Sequence, residues 1–245
     1  MTTKIHVLLV FVLTLLLHNV QAQDSVLTLQ DAKNAFLAED WDKAKSIYER
    51  CYKTEPSDTA CILGLVETYL RLQDATKAEG LIAKALKIYP ELPQLQLKYG
   101  LALNMKSKFK KSLEAFKTAD QFFQPTDPLR QTLFVNYGIA YLGLEKFPEA
   151  IECFDKVLAI NPRNATAYNY KGMTLYRMSD YDEALRMLNL SLDIDLQNPI
   201  TLYNRGVTYL KLEDRRNACL DFHAACRKGN MNACKQILIE CKQQQ

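Results

Sequence analysis

QTLFVNYGIAYLGLEKFPEAIECFDKVLAINPRN, running from Gln131 to Asn164, carries the pattern that decides the fold. Tyr137, Ile139, Ala140, Tyr141 and Leu144 recur at helical spacing. Ala150, Ile151, Phe154, Val157 and Leu158 do so again after a short break. Pro162 then punctuates the run, because proline cannot continue a helix interior. Asn164 stands where the next helix needs an N-cap. The stretch therefore reads as helix, turn, helix and stop.

The same unit recurs along the chain. Small residues fall at 44, 78, 112, 150, 184 and 218, spaced by 34, 34, 38, 34 and 34. Glycines at 100, 138, 172 and 206 are spaced by 38, 34 and 34. Both series share one four-residue insertion, which the turn-rich Gln124-Pro125-Thr126-Asp127-Pro128 accommodates as a loop. Pro56, Pro90, Pro125, Pro162 and Pro199 are read as unit closers, and Ser57-Asp58 as a further N-cap site. A period of this size signals a stacked-repeat architecture, in which no unit can bury its apolar face alone.

The pattern resembles the tetratricopeptide-repeat (TPR) family. Its unit has Gly or Ala at position 8, Tyr near 11, Ala at 20, an aromatic at 24, Ala at 27 and Pro at 32. The stretch above supplies Gly138, Tyr141, Ala150, Phe154, Val157 and Pro162. Weaker matches are Val66, Tyr69, Ala78, Ile82, Ala85 and Pro90, and then Gly100, Leu103, Ser112, Phe116 and Ala119. Gly172, Leu175, Ala184 and Leu188 follow, then Gly206, Tyr209, Ala218, Phe222 and Ala225. The first unit is degenerate, with Ala32, Trp41, Ala44, Tyr48, Cys51 and Pro56. The resemblance implies an all-α, right-handed TPR superhelix, an α-solenoid of helix-turn-helix repeats. Units are expected at about 25–58, 59–92, 93–128, 131–164, 165–198 and 199–230 of a single array over 23–242, closed by a capping helix over 231–242. Ala233, Ile237, Leu238 and Cys241 lie roughly on one face of that last helix.

Residues 1–22 read as a signal peptide. Lys4 supplies the basic start, Ile5 to Leu17 is apolar apart from His6 and Thr14, and Val20-Gln21-Ala22 gives a small-x-small cleavage site. The apolar run is shorter than the roughly 20 residues a bilayer span needs. The expected location is periplasmic or secreted. The whole chain has 31 Lys+Arg and 28 Asp+Glu; without Lys4 the balance is 30 against 28, or +2. Such a near-neutral chain, with no basic run denser than Lys106, Lys108, Lys110 and Lys111, is not expected to bind nucleic acid. Beyond residue 22, His223 is the single histidine. No Gly-x-Ser-x-Gly, phosphate-cradling glycine loop or His-Glu-x-x-His is present, so no enzyme and no cofactor is expected. Asn164-Ala165-Thr166 and Asn189-Leu190-Ser191 have the form of glycosylation sequons.

Export implies an oxidising compartment, where cysteines pair. Cys219 and Cys226 are seven apart on one helix, and Cys234 and Cys241 seven apart on the next. The index sums 226+234 and 219+241 are both 460. Two antiparallel helices turning near residue 230 bring both pairs face to face, so Cys226–Cys234 and Cys219–Cys241 disulfides are expected. Cys51 and Cys61 flank another tight turn and form a third candidate, leaving Cys153 free. The competing chemistry is a metal or thiol-redox role for the C-terminal cysteines with His223. Residues seven apart lie about 10.5 Å apart along a helix, too far to share one zinc ion. Redox catalysis usually employs Cys-x-x-Cys at a helix start, and none occurs here.

The family resemblance also implies a partner. Positions 2, 5, 6, 9, 12 and 13 of each first helix face a groove that holds a protein or peptide. Here they include Asn136, Asn169, Tyr170, Tyr176, Arg177, Tyr203, Asn204 and Lys211. Asn amides can donate to and accept from an extended backbone, and Tyr offers broad contact at low entropy cost. Asn136 and Asn204 also match a common family residue that serves the fold. In the first three units Leu29, Leu63, Leu97 and Leu101 occupy groove positions, and together they would form an apolar contact patch. Leu97 and Leu101 stand where the family's carboxylate clamp needs Lys and Asn, so that clamp is not expected.

Overall fold

The computed structural model describes residues 29–241. Residues 1–22, expected to be a signal peptide, and Lys242 of the expected cap lie outside the described residues. Every regular element described is a helix. The described residues divide into two compact units, one ending at Lys106 and one beginning at Ser107.

The first unit contains α1 (29–37), α2 (Trp41–Thr54), α3 (Thr59–Arg71), α4 (Ala75–Ala85) and α5 (Pro93–Met105). Successive helices pack on one another, and α5 also reaches α3. Ala44, Ala78 and Ile82 are wholly buried, and Tyr48 nearly so. Leu97 is buried, while Leu29, Leu63 and Leu101 are half-buried against the same core. The four therefore do not stand free in a groove: Leu97 is buried, and the other three are partly taken up by the packing of the unit.

The second unit contains α6 (Phe109–Asp120), α7 (Leu129–Gly143), α8 (Phe147–Ile160), α9 (Ala165–Arg177), α10 (Tyr181–Ile194), α11 (Pro199–Lys211), α12 (Arg215–Arg227) and α13 (Met231–Glu240). Ser112, Ala150, Ala184 and Ala218 have no exposed surface, and neither do Phe116, Phe154, Leu188 and Phe222. Each such Phe or Leu contributes on the order of 2 kcal/mol by leaving water. The small positions let the helices close in on those large ones. The inserted stretch lies in loop 121–128, where Asp127 accepts a hydrogen bond from Leu129 N at 2.8 Å.

A second periodic device joins the helices of a hairpin. Glu39, Gln73, Ser107, Glu145, Ser179 and Glu213 all have φ between 54° and 67°. They repeat at the same intervals as the small residues. Around Gln73, its N–H donates to Leu70 O and the Asp74 N–H to Tyr69 O, closing the preceding helix in a Schellman arrangement. Asp74 then caps the next helix by accepting from Lys77 N; Asp40, Asp180 and Asp214 do the same for theirs. In two hairpins Lys108 and Lys146 hold the cap position with no side-chain cap bond.

Between repeats, Asp58 caps α3 and Asn164 caps α9. Pro199 does not close a unit: it is the first residue of α11, behind the Asn198 cap, where its missing N–H costs nothing. In α13, Ala233 is buried and Ile237 and Cys241 pack on the core, but Leu238 is 60% exposed and lies off the packed face.

Candidate functional site

In the second unit α9 packs against both α7 and α11. These three helices present the positions expected to face a partner, and the structure sorts them into two groups.

The first group is engaged with neighbours inside the protein. Asn204 Nδ2 donates to Asn169 Oδ1 at 2.9 Å, and both side chains are buried. This bond ties α11 to α9, so neither amide faces outward as a free contact. Tyr170 stacks on Phe154 with ring centroids 5.8 Å apart, and burial pushes its phenol pKa up. Tyr203 lies against Phe222 at 5.9 Å. Asn136 Nδ2 donates to Thr132 O of its own helix at 2.8 Å. Arg177 is exposed but engaged, with Nη2 2.7 Å from Glu145 Oε1 and the guanidinium 5.5 Å from the Phe147 ring.

The second group meets in one cleft. Tyr176 and Lys211 line it together with Val207, Leu210, Glu213, Arg215 and Glu240, around a volume of about 470 Å³. Val207, Leu210 and the Tyr176 ring are half-buried and make an apolar floor. Lys211 and Glu213 are exposed at the rim. Arg215 Nη2 lies 3.2 Å from Glu240 Oε2, joining the start of α12 to the end of α13. Tyr176 packs on Tyr181 at 5.5 Å; burial and then the neighbouring Tyr181 and Tyr203 raise its pKa, keeping it a neutral hydrogen-bonding phenol. Sequence reasoning missed Val207, Leu210, Glu213, Arg215 and Glu240. Val207 and Leu210 were reachable, since they hold groove positions 9 and 12 of their helix. The others depend on how α13 docks.

That docking is covalent. The Cys226 and Cys234 sulfurs are bonded, with Cα atoms 4.8 Å apart, and those of Cys219 and Cys241 with Cα atoms 5.7 Å apart. Cys51 and Cys61 pair likewise between α2 and α3, Cα to Cα 5.9 Å. Cys153 is free and buried, and burial pushes its thiol up to about 11. The metal reading meets a chemical obstacle here: Cys219, Cys226, Cys234 and Cys241 carry no thiolate to offer. Among the described residues, no three His, Cys, Asp or Glu side chains converge as a metal site.

A larger polar cluster flanks this region. Arg205 forms two bonds of 2.8 Å to Asp221, which is buried, and one of 2.8 Å to Asn189. The Asp221 bonds hold its guanidinium pKa above the ordinary arginine value despite burial. These bonds tie α11 to α12 through Asp221 and to α10 through Asn189.

Among the described residues no helix is long and apolar enough to cross a membrane. The chain is 27% identical over 138 residues to the peroxisomal targeting signal receptor of Yarrowia lipolytica, covering 55% of this chain and 23% of the relative. It is 32% identical over 80 residues to the lipoprotein NlpI homolog of Haemophilus influenzae, covering 33% and 26%. The matches span less than half the length of these curated relatives. Among solved structures, PilW, a widely conserved type IV pilus biogenesis factor, superposes with a TM-score of 0.74 at 20% identity, over 88% of this chain and 99% of that one. The sequence pattern described as Tetratricopeptide repeat matches residues 35–100 and 129–197, together more than half of the chain. With six phased helix pairs, their buried small and large positions and these two matches, the chain belongs to the tetratricopeptide-repeat family.

Proposed function

We propose that this protein is a non-catalytic scaffold that holds a protein or peptide partner, and that the cleft beside α13 is its principal contact. Tetratricopeptide-repeat proteins mediate protein–protein interactions, and the relatives matched include a targeting-signal receptor. The observation that carries the reading is the cleft itself. It has an apolar floor of Tyr176, Val207 and Leu210 under a rim of both charge signs, the composition from which specific contacts are built. Residues 1–22 would direct export and be removed, which fits the paired cysteines.

Site-specific photo-crosslinking in cells that make the protein tests the contact. A photoreactive residue replacing Tyr176 or Lys211 is expected to trap a discrete partner band. The same residue replacing the exposed Arg186 on α10 is expected to trap none. Equal trapping at all three positions, or none at Tyr176 and Lys211, would reject the cleft. Asn169 and Tyr203 are poor test positions, because their loss damages packing before it touches a partner.

A further inference from the structure

The cleft has one wall that does not belong to a stacked pair of helices. Glu240 comes from α13, and Arg215, which it pairs with, from the start of α12. Cys241 follows Glu240 directly, and Cys219 lies one turn beyond Arg215. The Cys219–Cys241 disulfide is thus the covalent neighbour of the Arg215–Glu240 pair that lines the cleft.

What else holds α13 is slight. It is 10 residues long, below the roughly 12–15 at which an isolated helix becomes even marginal in water. Ala233 is its one fully buried side chain, with Ile237 packed beside it. Met231, Leu238 and Ile239 are 68%, 60% and 68% exposed, so the larger part of these three apolar side chains stays in water. Beyond the disulfides, Asn230 Nδ2 donates to Pro199 O at 3.1 Å, and the Arg215–Glu240 pair is exposed. An exposed pair is worth little. Each earlier helix of the unit, by contrast, carries several buried residues.

We infer that α13 is a thiol-gated wall: the two disulfides hold it on α12 and keep the cleft closed on that side, and their reduction by a dithiol releases it. The chemistry is balanced for each bridge. A thiolate of the dithiol attacks one cysteine sulfur, the S–S bond breaks and a mixed disulfide forms. The second thiol of the reductant then displaces that cysteine. The reductant leaves as a cyclic disulfide, and the protein gains two electrons and two protons as two thiols. Release removes Glu240 from the cleft and uncovers part of the core cluster to which Ala233 belongs and against which Ile237 packs. The gate stands on the packing of α12 and α13; only its consequence for partner binding rests on the function proposed above.

Hydrogen–deuterium exchange of the full mature chain, followed by mass spectrometry, tests the gate without any partner. On reduction with dithiothreitol, amides of 231–240 are expected to exchange at least tenfold faster, while α9 and α10 change less than twofold. Unchanged exchange in α13 would overturn the inference, because burial would then suffice to hold it. A matching acceleration throughout α9 to α12 would overturn it too, because the bridges would then support the whole unit. Two variants isolate the bridges under oxidising conditions. Cys219→Ser with Cys241→Ser is expected to free the last turn of α13 while the Ala233 and Cys234 amides, bonded to Asn230, stay protected, and Cys226→Ser with Cys234→Ser to do the reverse. The same exchange pattern in both variants would refute the assignment of each bridge to its own half of the wall. A failed crosslink at Tyr176 would leave this exchange result standing, so the two readings fail separately.

Discussion

Replacing Gly138 by Ala offers the sharpest test of the packing logic. Gly138 sits inside α7, where an exposed Gly→Ala change gains about 1 kcal/mol of helix propensity. Here a Cβ would lie 2.4 Å from Phe154 Cε1 and 2.6 Å from Cζ. Ordinary carbon contacts are about 3.5 Å, so the ring must retreat by about 1 Å. It has nowhere to go: Phe154 is wholly buried and stacks on Tyr170. Overpacking of this kind costs about 1–3 kcal/mol. Set against the propensity gain, the net is a loss of up to about 2 kcal/mol. Gly80 in α4 is the control, since a Cβ there meets nothing within 4 Å, and Gly80→Ala is expected to stabilise by the full propensity gain of about 1 kcal/mol. Urea unfolding followed by circular dichroism at 222 nm reads both signs. A Phe154→Leu change in the Gly138→Ala background should recover part of the loss, because a Cβ added at the equivalent Gly172 would meet its Leu188 at 2.9 Å rather than 2.4 Å, a milder overlap. A coupling of at least about 0.5 kcal/mol is expected for touching residues. Stabilisation by Gly138→Ala equal to that of Gly80→Ala, with no coupling to Phe154, would refute the close-approach argument.

Three further outcomes follow from local chemistry. Gln73→Gly should raise unfolding stability by up to about 1 kcal/mol, read in the same urea assay, because Gln73 holds φ 59° at a cost glycine avoids. Denatured but unreduced protein should titrate one thiol with Ellman's reagent, and native protein should react far more slowly, since burial pushes Cys153 up to about 11 and leaves almost no thiolate at neutral pH. Burial opposes ionisation of Glu67, but Lys98 and Arg71 outweigh it and its pKa falls. Its folded value lies below its unfolded one, so its contribution is present above the ordinary glutamate value of about 4.3 and is lost as pH falls through the folded value. Lys98→Met should therefore lower thermal stability at pH 7 and lower it less at pH 3, as differential scanning calorimetry would show.

Much of the fold was legible because it rests on volume and period. Ala44, Ala78, Ser112, Ala150, Ala184 and Ala218 are small where helices approach, and each is wholly buried. The facing index sums of the cysteines work for the same reason: two antiparallel helices around a short turn leave one geometry. The left-handed hinge residues escaped notice because the chain uses Glu, Gln and Ser there rather than Gly. Their conformation is imposed by the two backbone bonds of the Schellman arrangement, which carry no side-chain signature. Pro199 misled for a related reason, since proline both ends one helix and begins another, and only the Asn198 cap decides which.

The candidate site was half legible, and the division has a physical cause. A repeat consensus says which positions face a groove, but not which of their polar groups find each other. Asn169 and Asn204 are 35 residues apart and look like two independent contacts until α9 and α11 bring them within 2.9 Å. Bonded and buried, they tie α11 to α9, as a buried polar pair is expected to do. Tyr176 and Lys211 escape that fate because the helix that continues the stack is replaced by a short, clamped one. α13 leaves the floor of Val207 and Leu210 half-open and supplies Glu240 in place of another row of groove residues. The open cleft thus lies where the repeat stops repeating, and the cysteines that break the pattern there are the ones that hold the break in shape.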